Sequence, residues 1–219
     1  MEKKLRTVSI LLLFLTIVWL VFTAISMSGV GPEWGDEDFV RWVSDPDLIF
    51  TLNYINASLL TIFVILLYFY LFFYLKALNR KLALAALIFV PVYGGINLLC
   101  YSIQICLVPR LAFVAIEKQE GFLQVAELIQ ANPQSLAGLL NGIAYALLGV
   151  PSIVYGRMLL QRSKRYSGIF LLLNGVFCLI GLLGYLTNSA ILAMGIMLGG
   201  ILFLVSLGCM VTEFKIKIS

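Results

Sequence analysis

Six apolar stretches, none interrupted by a charge in its core, dominate the sequence and leave it few ways to fold. They cover residues 8–27, 57–75, 82–107, 136–159, 167–186 and 190–211. A hydrocarbon core about 30 Å thick takes roughly 20 helical residues to cross, so each stretch is long enough. In lipid only helices and closed barrels satisfy every backbone polar group. The runs are continuously apolar and lack the two-residue alternation of a barrel strand, which selects helices. The expectation is an all-α integral membrane six-helix bundle, a single transmembrane domain over residues 1–219.

Composition excludes a soluble alternative. Hydrophobic residues make up 62% of the chain and charged residues 12%, and the mean hydropathy is +1.03. Too little polar surface remains to cover a water-soluble fold of this size. Cys100, Cys106, Cys178 and Cys209 all fall inside apolar runs, where they read as small hydrophobes, not a disulfide framework. Histidine is absent. That removes Ser-His and Cys-His nucleophile pairs and histidine-held metals or haem. No cofactor and no catalytic residue is expected.

Basic residues near span ends are retained in the cytoplasm, which sets orientation. With the amino terminus inside, twelve of the fifteen cations are cytoplasmic: Lys3, Lys4, Arg6, Lys76, Arg80, Lys81, Arg157, Arg162, Lys164, Arg165, Lys215 and Lys217. Arg41, Arg110 and Lys118 fall outside, with nine of the eleven carboxylates. Both termini are therefore expected in the cytoplasm. The basic clusters are explained by topology, and no nucleic-acid partner is expected. Cleavage after Ala24-Ile25-Ser26 is the competing reading of the first span, whose length favours an uncleaved helix.

Two outer loops exceed what a connection needs, and each is expected to carry a short interfacial helix. In the first, Phe39, Trp42 and Val43 share one side of a stretch opened by Asp36-Glu37-Asp38. Asp45-Pro46-Asp47 follows as a helix start, with Asp45 as the cap and Pro46 in the first helical position. In the second, Phe122, Val125, Ala126 and Ile129 recur at helical spacing. They predict an amphipathic helix on the outer leaflet, closed at Asn132-Pro133.

The spans carry neutral polar residues in stripes. Tyr93, Asn97, Tyr101 and Gln104 lie on one helical face of the third span, and Asn141, Tyr145, Ser152 and Tyr155 on a face of the fourth. Asn174, Cys178 and Tyr185 repeat the pattern in the fifth, while Asn53 and Asn56 share a side near the start of the second. Alternating span direction puts most of these in the outer half. Asn53, Asn56, Asn97, Tyr101, Gln104, Asn141, Tyr145, Asn174 and Tyr185 are the candidate lining of an outward-facing polar and aromatic vestibule. The competing reading is hydrogen-bonding glue between helices, worth about 0.6 kcal/mol per group.

Pro91 with Gly94-Gly95 and Gly149-Val150-Pro151 mark kinks. Gly138/Gly142 and Gly195/Gly199 are four-residue glycine pairs that permit close helix approach, within the chain or between two copies in a homo-oligomer.

Asp45-Pro46 leading into the second span, LKALNRKLALAAL, and VYGRMLLQRSKRYSGIFLLLNGV carry a resemblance. The chain resembles the uncharacterised six-span prokaryotic membrane proteins grouped as domain-of-unknown-function family forty-three eighty-six. Where such proteins tend to carry a proline before span five, this chain has Ser163-Lys164-Arg165-Tyr166-Ser167. The resemblance implies six helices in the cytoplasmic membrane of a bacterium or archaeon, and no activity.

With no fixed charge in the spans, the expected function is non-enzymatic, with membrane lipids as partners and a lipid or small neutral amphiphile as ligand. A small-molecule transporter or channel of three-plus-three design is the alternative. An outer-surface enzyme using Asp36, Glu117 or Glu120, the carboxylates holding a divalent cation, is the second.

Overall fold

A computed structural model describes residues 1–31, 34–132, 135–187 and 189–214. Glu33, Pro133, Lys215 and Lys217, all used in the sequence reading, lie outside the described residues. Every regular element among the described residues is helical. In chain order they are α1 (Glu2–Ser26), α2 (Asp36–Ser44), α3 (Leu48–Leu75), α4 (Arg80–Leu87), α5 (Phe89–Cys106) and α6 (Val108–Lys118). Then come α7 (Phe122–Ala126), α8 (Leu136–Gln161), α9 (Arg165–Leu186), α10 (Ala190–Ala193) and α11 (Gly195–Glu213). Six helical stretches are long and apolar enough to cross a membrane, with α4–α5 counting as one and α10–α11 as another.

The chain packs as two compact units. The first comprises Met1–Phe14, Thr61–Gly95 and Gly142–Ser219, the second Leu15–Leu60 and Ile96–Asn141.

In the first unit glycines set the spacing of three helices. A Cβ at Gly156 would stand 2.6 Å from the Leu172 nitrogen and 2.8 Å from the Gly168 carbonyl oxygen, and one at Gly149 would stand 2.8 Å from the Gly175 oxygen. On the opposite side of α9, a Cβ at Gly181 would meet the Ile196 nitrogen at 2.6 Å, and one at Gly195 the Phe177 oxygen at 2.7 Å. Backbone thus touches backbone on both faces of α9, and only glycine admits that approach. The Gly195/Gly199 pair is used inside the chain. Gly199 faces Cys178 and the Asn174 carbonyl, and Gly142 packs on the Tyr185 ring.

The joint between α8 and α9 is a tight one. Ser163 takes the left-handed conformation at φ 60°. Around it Lys164 N–H bonds the Leu159 carbonyl at 3.0 Å and Ser163 N–H bonds that of Leu160 at 3.1 Å. This pair of bonds is the Schellman arrangement, in which glycine is usual. Pro91 explains the break between α4 and α5. It has no N–H to offer the Leu87 carbonyl, and the regular ladder stops at Ile88.

The second unit corrects several loop expectations. The cap of α3 is Asp47, whose carboxylate accepts the Phe50 N–H at 2.6 Å; Asp45 instead ends α2. The second loop opens with an eleven-residue helix, α6, that the hydropathy reading passed over. Pro109 occupies its first turn, where a missing N–H costs nothing. Beyond α6 the expected amphipathic helix shrinks to the five residues of α7.

The apolar residues expected at the membrane surface also turn inward. Phe39, Val43, Val125, Ala126 and Ile129 are buried in one cluster with Phe50, Tyr54, Tyr101, Val108 and Ala112. A sequence of ring contacts crosses that cluster. Trp34 meets Trp42 at 6.3 Å, Trp42 meets Phe50 at 5.4 Å, Phe50 meets Tyr54 at 4.9 Å and Tyr54 meets Tyr101 at 6.1 Å.

Candidate functional site

Four carboxylates of the two long loops serve as caps and braces. Asp38 accepts the Gly35 N–H, Glu37 pairs with Arg41, Asp36 accepts the Asn132 amide and Glu127 accepts the Leu136 N–H. Among the described residues no three metal-ligating side chains come together.

The nine candidate lining residues fall in both units. In the second, Asn53 exchanges hydrogen bonds with the Thr23 hydroxyl at 3.2 and 3.3 Å, and Asn56 donates to the Leu15 carbonyl at 2.9 Å. Both tie α3 to α1. Gln104 is wholly buried and clamps the segment after α7. Its amide nitrogen donates to the Leu128 carbonyl at 2.7 Å, and its oxygen accepts the Gln130 N–H at 3.1 Å. Tyr101 lies against Tyr54 in the ring sequence described above. In the first unit Asn174 donates to the Gly199 carbonyl at 2.9 Å and ties α9 to α11. Tyr145 meets Tyr93 with ring centres 5.9 Å apart and planes tilted by 57°.

Asn97 differs from the rest. Asn97 is 0% exposed, and neither its amide nitrogen nor its amide oxygen has a protein partner. The side-chain oxygens of Asn141 and Asn174 are likewise buried and unpartnered, although the Asn174 nitrogen has its bond to Gly199.

The relation of Asn97 to Asn141 follows from helix register. Tyr155 of α8 donates its hydroxyl proton to the Ala83 carbonyl, and Tyr145 meets Tyr93. Moving from 83 to 93 thus matches moving from 155 back to 145, so the two segments run antiparallel. One further turn sets Asn97 at the level of Asn141. The two carboxamides nevertheless make no bond to each other. Leaving one buried amide group unpaired costs about 1–3 kcal/mol, and native proteins leave few. Between them these residues offer one N–H₂ donor and two carbonyl acceptors to a third party. No charged side chain occurs in either span near this level.

A second polar cluster, in the first unit, escaped sequence reasoning. Glu213, at the end of α11, accepts the Tyr166 N–H at 2.9 Å, the Ser167 N–H at 3.2 Å and the Ser167 hydroxyl at 2.6 Å. Lys164 donates to the Glu213 carbonyl at 2.6 Å and pairs with Glu2 at 3.3 Å, and Glu2 accepts the Tyr74 hydroxyl at 3.0 Å. The two carboxylates on the cation-rich side were the only signal for it.

No family model, no curated protein and no solved structure matches this chain.

Proposed function

We propose that this chain is a multi-pass membrane protein that binds a small neutral amphiphile on the Asn97–Asn141 pair, without chemical conversion. The observation that carries the reading is the fully buried Asn97 amide with no protein partner, in register with the unpartnered Asn141 oxygen. A ligand group that both donates and accepts, such as a hydroxyl or an amide, satisfies these atoms, and its apolar remainder suits the surrounding spans. A charged head group fits poorly, since neither span offers a counter-charge at that level. The pair would open toward the outer face. The distribution of basic residues supports cytoplasmic termini, and the likeness to six-span prokaryotic proteins supports the cytoplasmic membrane of a prokaryote.

The test is native mass spectrometry of the chain purified in mild detergent, beside Asn97→Leu. A discrete uncharged adduct on the wild type, absent from a folded Asn97→Leu, is the expected result. An adduct kept by the variant refutes the assignment. So does an adduct-free wild type beside a variant stabilised by about 1–3 kcal/mol, the gain from removing an orphan polar group.

A second reading, transport of a small molecule, draws on the breaks at Ile88 and Met194. They interrupt the third and sixth spans, which correspond in a three-plus-three design. Ligand uptake by proteoliposomes would favour it over binding alone.

A further inference from the structure

At one place in the first unit the start of α1, the end of α3, the α8–α9 joint and the end of α11 meet. Glu2 of α1 joins Tyr74 of α3 and Lys164 of the joint, and the Tyr74 ring stands 5.3 Å from that of Phe214. The neighbourhood is strongly basic. Lys3, Lys4 and Arg6 lie in the first turns of α1, Lys76 follows α3, and Arg162 and Arg165 flank Lys164. Against them stand two carboxylates, both engaged: Glu2 by Tyr74 and Lys164, Glu213 by the start of α9.

Several of the cations lie over aromatic faces, Lys164 in addition to its pairing with Glu2. Lys4 lies 5.6 Å from the centre of the Tyr70 ring, Lys76 4.5 Å from Phe73, Arg162 5.8 Å from Tyr74 and Lys164 4.6 Å from Phe214. Rings and cations interleaved at the end of long apolar helices suit the level of lipid head groups.

Arg6 stands out in this patch by a buried nitrogen. Its Nε–H is buried and has no acceptor, and it forms no ion pair among the described residues. Leu5 and Ser9 beside it are fully buried, with Ser9 lying 3.7 Å from the Met210 sulfur of α11. Arg6 thus sits on the turn of α1 that packs on α11, and its guanidinium keeps a donor that no protein group accepts. Arginine's planar fork matches two oxygens of a phosphate, which a point-like ammonium does not.

We propose that Arg6 holds the phosphate of an anionic phospholipid, with the surrounding lysines and arginines supplying the field that favours a net negative head group. This assignment does not depend on the Asn97–Asn141 reading, because the ligand is charged and the residues are different. The binding step forms no covalent bond and moves no proton.

The test is a lipid titration followed by native mass spectrometry of the full chain. Phosphatidylglycerol is compared with phosphatidylcholine, on the wild type and on Arg6→Gln, Arg6→Lys and Arg165→Gln. The first phosphatidylglycerol is expected to bind the wild type about tenfold more tightly than phosphatidylcholine. Arg6→Gln is expected to lose about tenfold, the cost of a charge-assisted hydrogen bond, and Arg6→Lys to recover part of it. Arg165→Gln should lose less than about threefold, as a field contribution does. Equal affinity for the two lipids overturns the proposal, as does an Arg6→Gln loss no larger than that of Arg165→Gln. Displacement of the lipid by millimolar inorganic phosphate would assign the site to a free anion and overturn the lipid claim as well.

Discussion

Helix α9 begins without a cap of its own. Lys164 precedes it and offers no side-chain acceptor, so the first amides depend on Glu213, more than forty residues later in the chain. Glu213→Ala would strip three donors of their acceptor at once. Tyr166 is exposed, and water takes over its N–H at little cost. Ser167 is fully buried, and its N–H and hydroxyl would be left without their partner. A buried donor so orphaned costs about 1–3 kcal/mol, and loss of the anion from the positive end of α9 adds about 0.3–1 kcal/mol. These contributions overlap, because the same oxygens make the bonds and carry the charge, so the expected loss is about 2–4 kcal/mol. Glu213→Gln keeps one oxygen and should lose about half as much. The assay is unfolding in mixed micelles, run as a double-mutant cycle with Ser167→Ala. A coupling of at least about 1 kcal/mol is expected between contacting residues. A Glu213→Ala loss under about 0.5 kcal/mol, the range of an uninvolved surface site, would refute the reasoning.

Two further outcomes follow from backbone geometry, both read in the same unfolding assay. Ser163→Gly should stabilise the chain by about 0.5–1 kcal/mol, because glycine takes the left-handed conformation at φ 60° without the penalty serine bears; no gain would show that the joint is unstrained. Gly175→Ala should destabilise it by about 1–3 kcal/mol or more, since the new methyl would collide with the Gly149 carbonyl and lie 2.7 Å from the Ile153 side chain; a neutral result would mean that α8 and α9 separate freely.

The spans were legible because length and apolarity suffice for a membrane helix, whatever its neighbours are. The helix α6 was not, because it mixes apolar residues with Arg110, Glu117 and Lys118. A helix that buries only one face, with Val108, Ala112 and Ala115 inward, lacks the continuous run that marks a span. The glycine contacts were half legible. A four-residue spacing picks out Gly195/Gly199, but Gly149, Gly156, Gly168 and Gly175 recur at seven, two helical turns, and meet in antiparallel register. Glu213 was invisible as a cap, since a capping residue is sought next to its helix and this one arrives from another.

Residue type alone also could not separate glue from site among the asparagines. Asn53, Asn56 and Asn174 sit in spans with the same chemistry as Asn97, and the nitrogen of each has found a hydroxyl or carbonyl on a neighbouring helix, although the Asn174 oxygen is left unpaired. A carboxamide in an apolar bundle takes such a partner whenever one lies within reach, because the alternative is an unpaired dipole. Carbonyls on a neighbouring helix are already spent on the helix ladder, and can accept a second bond only where the side chain reaches their free lone pair. Asn97 reaches none, and Asn141, at its level, does not close the gap. What sets Asn97 apart is therefore the failure of both ends of its carboxamide to pair, where Asn174 leaves only its oxygen unpaired, and the proposed ligand site rests on that difference.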